Sequence, residues 1–182
     1  MDTLALLARY FPNPDAFRIV VEHSRMVAAK AVGVALALDC PVDVQFVEEA
    51  ALLHDIGICR IDAPRICCFG ADPYITHGIH GRAILEAEGL PRHALVCERH
   101  IGVGLTVEDI AAQRLPLPLR TMAPTTVEEE IICFADLFYS KKTGALTREK
   151  DIEAVRTGLQ NFGEHKLRIF DGWLDRFAPF SP

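Results

Sequence analysis

The chain has 182 residues, 50% of them hydrophobic, and a formal net charge of −6. No run reaches the ~18 uninterrupted apolar residues of a membrane helix. The acidic balance speaks against an extended nucleic-acid surface, which shows as a basic face. A phosphate substrate stays open, because bound metal ions can carry the positive charge locally.

The length predicts a single domain over residues 1–182, with a core over about 15–142 and a C-terminal helix over 147–170. The opening MDTLALLARYFPNP begins with an acid and lacks a basic region. That predicts no signal peptide, no membrane association and a cytoplasmic location. Six cysteines without a CxxC pair predict reduced thiols and no structural zinc-thiolate site.

In chain order, apolar residues from Phe17 to Leu38 recur at three- and four-residue steps, so a helix is expected over 15–38, with Pro14 suited to its start. Asp43 is the expected N-cap of a second helix running from Val44 to about Ile56, with Gly57 as its stop. Residues 60–73 carry two prolines and a glycine and are read as a loop, with room for one helical turn. Helices follow over 74–88, closed by Gly89, and from Pro91 to about His100. Thr106 and Asp109 suit a loose capping box for a short helix. The segment LPLPLRTMAPT is expected to be extended. Thr126 should cap a helix from Val127 to about Lys142, and Thr147 a last one over 148–168. Strand-like alternation is scarce, so an all-α fold is expected, an irregular bundle of six or seven helices.

Four histidines and two aspartates fall on these elements: His23, His54, Asp55, His77, His100 and Asp136. Each alone has an ordinary reading. A single helical histidine is most often a packed or surface residue. His54-Asp55 can be a helix end with a cap, and Asp136 can pair with Lys141 or Lys142. Together, five successive helices each contribute at least one ligand type, and the set suits divalent first-row metals. Asp55 and Asp136 lie in apolar runs, where a carboxylate needs a partner.

This order of residues resembles the HD superfamily of metal-dependent phosphohydrolases, in its HDIG branch. The resemblance rests on five segments: His23-Ser24-Arg25-Met26-Val27-Ala28; the naming motif His54-Asp55-Ile56-Gly57; His77-Gly78-Ile79-His80-Gly81-Arg82-Ala83-Ile84-Leu85; Glu98-Arg99-His100 with Gly102 and Gly104 after it; and Glu129 to Asp136. It implies an all-α HD-domain fold. It implies that His23, His54, Asp55 and Asp136 bind one divalent metal. His77 and His100 then complete a second site with Asp55 bridging, and His54 and Asp55 are the implied catalytic pair. His80 is a rival for His77, three residues away on the same helical face.

Two ions, of Fe, Mn, Zn or Co rather than Mg, are the implied cofactors. They would polarise a phosphate and activate water. The implied substrate is a small phosphate compound, a nucleotide or dinucleotide polyphosphate, since the chain is also similar to bacterial HD-type hydrolases of diadenosine tetraphosphate. A homodimer is compatible with this reading. One departure matters: many HDIG proteins carry Lys directly after the Gly, and here the residue is Ile58. Arg60, Arg82, Arg99 or Lys141 would have to supply that charge, with His80 as a further substrate contact. Two alternatives remain at this stage: a catalytically degenerate HD module that binds a nucleotide or partner, and a diiron oxygenase.

Overall fold

A computed structural model describes residues 1–142 and 144–177. Among them are nine α-helices and a single two-stranded sheet. Seven of the helices correspond to the expected ones. The other two are an N-terminal helix and a second helix from the division of the expected last one. No helix among the described residues is long and apolar enough to cross a membrane.

Helix α1 spans Thr3–Tyr10 and is capped by Asp2, whose Oδ1 accepts from the Ala5 N–H at 2.9 Å. Helix α2 runs Pro14–Ala37, with Pro14 in its first turn and Asn13 Oδ1 accepting from two backbone N–H groups. Asp43 caps α3, as its position suggests, but α3 ends at Leu53. The chain continues as a 3-10 helix over Ile56–Arg60, so Gly57 lies inside that turn rather than beyond a helix end. Glycine is required there by close approach. A Cβ on Gly57 would stand 2.0 Å from the His77 carbonyl oxygen and 2.3 Å from the Gly81 nitrogen.

Residues 62–69 form a small antiparallel hairpin, β1 (Asp62–Ala63) against β2 (Cys68–Phe69), where a loop was expected. A two-residue strand gives no alternation to read. Helix α4 spans His77–Ala87, led in by a 3-10 turn, and the chain leaves it through Gly89 at φ 75°, a left-handed position that glycine takes without strain. Helix α5 spans Pro91–Arg99 and α6 Val107–Ala112, whose capping box is complete in both directions. Helix α7 begins at Val127 under the Thr126 cap but stops at Leu137, five residues short of expectation. The expected last helix is two, α8 (Ile152–Gln160, capped by Asp151) and α9 (Glu164–Phe177).

Two large apolar clusters organise these elements. One joins the C-terminal part of α2 (Val27 to Ala35) with α3, α7, α8 and α9. The other joins α1, the N-terminal part of α2 (Ala16 to Val21), the 3-10 turn after α3, α4 and α5. His23 and Ser24 sit on α2 between the two, fully buried. Helix α3 crosses the same seam, with Ala50 and Ala51 in the first cluster and Leu53 in the second. Polar side chains are thus placed where two apolar cores meet. Helix α9 fixes α7 from outside: Phe134 stacks on Phe170, ring centroids 6.0 Å apart, and meets Phe177 edge-on at 5.5 Å.

Candidate metal centre

His54 is the C-terminal cap residue of α3, and its Nδ1 faces the Ala51 carbonyl at 2.6 Å. His77 opens α4 with Nδ1 2.7 Å from the Tyr74 carbonyl, and His100 follows α5 with Nδ1 2.8 Å from the Cys97 carbonyl. In all three, the carbonyl three residues back accepts from Nδ1–H. In the neutral ring that leaves Nε2 as the lone-pair nitrogen, the form that binds a metal ion. All three Nε2 atoms then turn toward Asp55.

Asp55 is fully buried, and its two oxygens divide the neighbourhood. Oδ2 lies 3.3 Å from His23 Nε2 and 3.1 Å from His54 Nε2. Oδ1 lies 3.6 Å from both His77 Nε2 and His100 Nε2. Asp136 comes from the last turn of α7, its Oδ1 3.0 Å from His23 Nε2 and 3.5 Å from His54 Nε2. His77 and His100 present their Nε2 atoms to each other at 3.0 Å. With both Nδ1 hydrogens given to carbonyls, the Nε2 atoms of the two neutral rings face each other without a hydrogen between them.

Both nitrogens of His23, Nε2 of His54 and both oxygens of Asp55 are buried and make no regular hydrogen bond; their close polar neighbours are one another, Asp136 and, at Asp55 Oδ2, the Lys141 ammonium. Burial of such groups costs several kcal/mol unless an ion or a matching donor compensates, by a rough general scale. Each of the triads His23–His54–Asp55, Asp55–His77–His100 and His54–His100–Asp136 has donor atoms within 4.8 Å of one another. Imidazole and carboxylate donors in that arrangement fit divalent first-row ions.

The electrostatics polarise the cluster. Burial disfavours charge on His54, but Asp55 and Asp136 outweigh it and raise its pKa to about 10. His77 goes the other way, to about 3, through burial and the nearby His100. Asp55 stays well below the usual carboxylate range: burial works against this, and His54 and Lys141 overcome it. Asp136 is likewise held low against burial, by Lys141, His23 and His54.

Of the four cations considered to replace the lysine missing after Gly57, Lys141 contacts the cluster. Its Nζ lies 2.5 Å from Asp55 Oδ2. Burial disfavours its charge, but Asp55 reverses this and its pKa is raised. Arg82 is tied to Glu98 and Glu86, and Arg99 to Glu129 and Thr125. Arg60 is exposed. His80 pairs with Asp72 at 3.1 Å. Tyr74 carries no sequence signal beyond preceding His77 by three residues. Yet its carbonyl orients His77 and its ring centroid lies 4.9 Å from that imidazole; burial raises the pKa of its hydroxyl, and the charge of Lys141 partly offsets this.

Residues 20–140, about two thirds of the chain, match the HD domain family. The chain is 40% identical over 121 residues to the uncharacterized protein MJ0778 of Methanocaldococcus jannaschii, covering 64% of each. It is 34% identical over 168 residues to the tRNA (cytidine(56)-2′-O)-methyltransferase of Thermoplasma volcanium, covering 91% of this chain and 44% of that protein. It is 33% identical over 142 residues to the Picrophilus torridus protein of the same name, covering 71% and 37%. The chain therefore spans less than two thirds of the length of these relatives. Among solved structures, the HD domain of the L. monocytogenes phosphodiesterase PgpH shares the fold, with TM-score 0.57 and 18% identity over 96% of this chain and 88% of that one. The family match, covering the helices that carry all six converging donors, establishes that the chain belongs to the HD domain family.

Proposed function

We propose that this chain is a metal-dependent phosphohydrolase that cleaves a phosphoester or phosphoanhydride bond of a nucleotide or dinucleotide polyphosphate with water. The observation that carries this reading is the facing pair His77 Nε2 and His100 Nε2, 3.0 Å apart and both 3.6 Å from Asp55 Oδ1. Acceptors packed in this way suit a cation. His23, His54, Asp136 and Asp55 Oδ2 would hold one ion; His77, His100 and Asp55 Oδ1 would hold a second. Such ions supply Lewis acidity toward a phosphate oxygen and lower the pKa of water at neutral pH.

The chain's own residues do the rest. The carbonyls of Ala51, Tyr74 and Cys97 fix the three imidazoles in one tautomer and orientation, and Asp55 spans both donor groups. The apolar walls behind His23 and His54 keep bulk water out. Lys141 keeps an ammonium beside Asp55, placed to meet a phosphate oxygen or the departing oxygen. In the overall step the water oxygen forms a new P–O bond. The P–O bond to the leaving group breaks, its oxygen departs with the electron pair, and a proton from water ends on it. The methyltransferase name belongs to longer proteins, most of whose length this chain does not cover, and no methyl transfer is inferred from it.

The test is elemental analysis of protein purified without chelator, followed by hydrolysis of p-nitrophenyl phosphate and a nucleotide panel with Mn, Fe, Co or Zn added. We expect bound metal in the wild type. We expect Asp55→Ala and His54→Ala to lose metal and to lose turnover by at least about a hundredfold, the order expected when charge stabilisation at a reacting centre is removed. Metal-free protein, with variants that turn over like the wild type, would overturn the reading.

A further inference from the structure

A cavity of about 850 Å³ lies beside Lys141. One wall is the hairpin region after the motif, with Asp62 and Arg65; the other is the segment after α7, with Ser140, Lys141 and Lys142; Tyr74 closes it toward His77. Lys141 is common to this cavity and to the His/Asp cluster, because its Nζ touches Asp55 Oδ2. The cavity therefore adjoins the cluster through Lys141.

Its charge is uneven. Arg65, Lys141 and Lys142 line it against the single acid Asp62. Lys141 is neutralised by Asp55. Arg65 and Lys142 have no side-chain hydrogen bond or ion pair among the described residues, unlike Arg82, Arg99, Arg120 and Lys166, each bound to a buried carboxylate. The Ser140 hydroxyl accepts from the Lys142 N–H at 3.1 Å and holds the turn that presents the two lysines side by side. A second cavity, about 470 Å³, is lined by Ile75, Ile101 and Leu137 with Lys150 and Lys166; neither cavity contains any of the six donors, but here both ammonium groups are already bonded, Lys150 to the Leu137 carbonyl and Lys166 to Asp109. Of the two cavities, the one beside Lys141 is the one lined by cations without a side-chain partner among the described residues.

We infer that this cavity is a subsite for a second phosphate, and that the substrate carries at least two linked phosphates. The inference rests on the hydrolase reading above. A single phosphate at the His/Asp cluster uses Lys141 and any bound ions, and leaves Arg65 and Lys142 without an anion. A phosphoanhydride places its next phosphate beside the first, on the side where these two cations stand. Arg65, with its planar fork, suits two phosphate oxygens at once, and Lys142 serves as a point charge. Both come from segments outside the donor-bearing helices, so they select substrate without holding the cluster together.

The experiment compares the metal-supplemented wild type with Arg65→Ala, Lys142→Ala and the double variant, on p-nitrophenyl phosphate, AMP, ADP and ATP. Binding of inorganic phosphate, pyrophosphate and tripolyphosphate is followed by calorimetry. Wild-type protein should bind pyrophosphate at least about tenfold more tightly than phosphate, the worth of one charge-assisted hydrogen bond. The double variant should lose that margin. It should also lower kcat/KM for ADP and ATP about tenfold or more, mainly through KM, while p-nitrophenyl phosphate turnover changes less than about twofold. Equal losses on all substrates, no loss on ADP and ATP, or pyrophosphate binding no tighter than phosphate would overturn the subsite. If Asp55→Ala keeps full turnover, it is the hydrolase reading that fails; the pyrophosphate margin and its loss in the double variant still decide the cavity.

Discussion

At Gly57 a single missing carbon holds two helices in place. The 3-10 turn after the motif packs so closely on α4 that a methyl group would overlap the His77 carbonyl and the Gly81 nitrogen. Gly81 is itself restricted, with Cys97 Cβ 2.9 Å from its own missing Cβ. Neither the turn nor the helix start can shift without moving His54, Asp55 or His77. Gly57→Ala is therefore expected to cost about 3 kcal/mol or more, the upper range for overpacking a tight interior. Denaturant midpoints read as free energies would measure it; a change under about 0.5 kcal/mol would show that the turn yields easily. The residue type was legible in the sequence, but its reason was not. Glycine after an apolar run reads as a helix stop, and a backbone contact 20 residues downstream leaves no mark in local spacing.

Among the elements, α6 illustrates how a short helix can matter. It has six residues and little packing of its own, yet its capping box is tied to α9. Lys166 is buried, donates to the Gly104 carbonyl at 2.6 Å and forms an ion pair with Asp109, the residue that closes the box. Burial raises the Asp109 pKa, but Lys166 and the Thr106 N–H more than reverse this, so the folded carboxyl lies below its ordinary 3.8. Its contribution is thus complete above about pH 4 by the ordinary carboxylate range and lost as pH falls through the lower folded value. We expect Lys166→Met to destabilise the protein by about 3 kcal/mol at pH 7, as when one partner of a buried pair is removed. We expect Asp109→Asn to flatten the loss of stability between pH 4 and the acid limb. Unfolding curves across pH would check both; an unchanged acid limb in Asp109→Asn would remove the assigned role.

The sequence carried the long elements well, because α2 and the start of α7 have side-chain caps and α4 is followed by Gly89 in a left-handed conformation. It overextended α3 and α7, whose apolar runs continue past the last helical residue. In α7 the run Phe138-Tyr139 stays buried after the helix ends, so burial persists while helicity does not. The meeting of the six side chains could be anticipated only from their joint order along five helices and the resemblance that order carries, since each alone has an ordinary reading. Lys141 could only be one candidate among several, since its reach depends on where α7 stops.

For the whole molecule, the donors draw on α2, α4, α7 and the segments that follow α3 and α5, and they sit on the seam between two apolar clusters. An ion held there would cross-link the two halves. Ligand bound to the folded state alone stabilises by RT ln(1 + [L]/Kd), about 4 kcal/mol at a thousandfold excess over Kd. Thermal unfolding should therefore rise by several degrees with added Mn, Co or Zn and fall back with a chelator. Asp55→Ala should show neither change. A wild-type transition indifferent to both additions would argue against any structural load on the site.

Ile58 is fully buried in the 3-10 turn, while the charge nearest Asp55 arrives from Lys141, 83 positions further along by subtraction of the residue numbers. Motif and charge are thereby uncoupled in this chain. Apolar variation at 58 can tune packing and leave the Lys141–Asp55 pair in place. The segment after α7 can lengthen, shorten or change sign, and under the proposed reading alter the choice of phosphate, while the His54-Asp55 pair stays as it is.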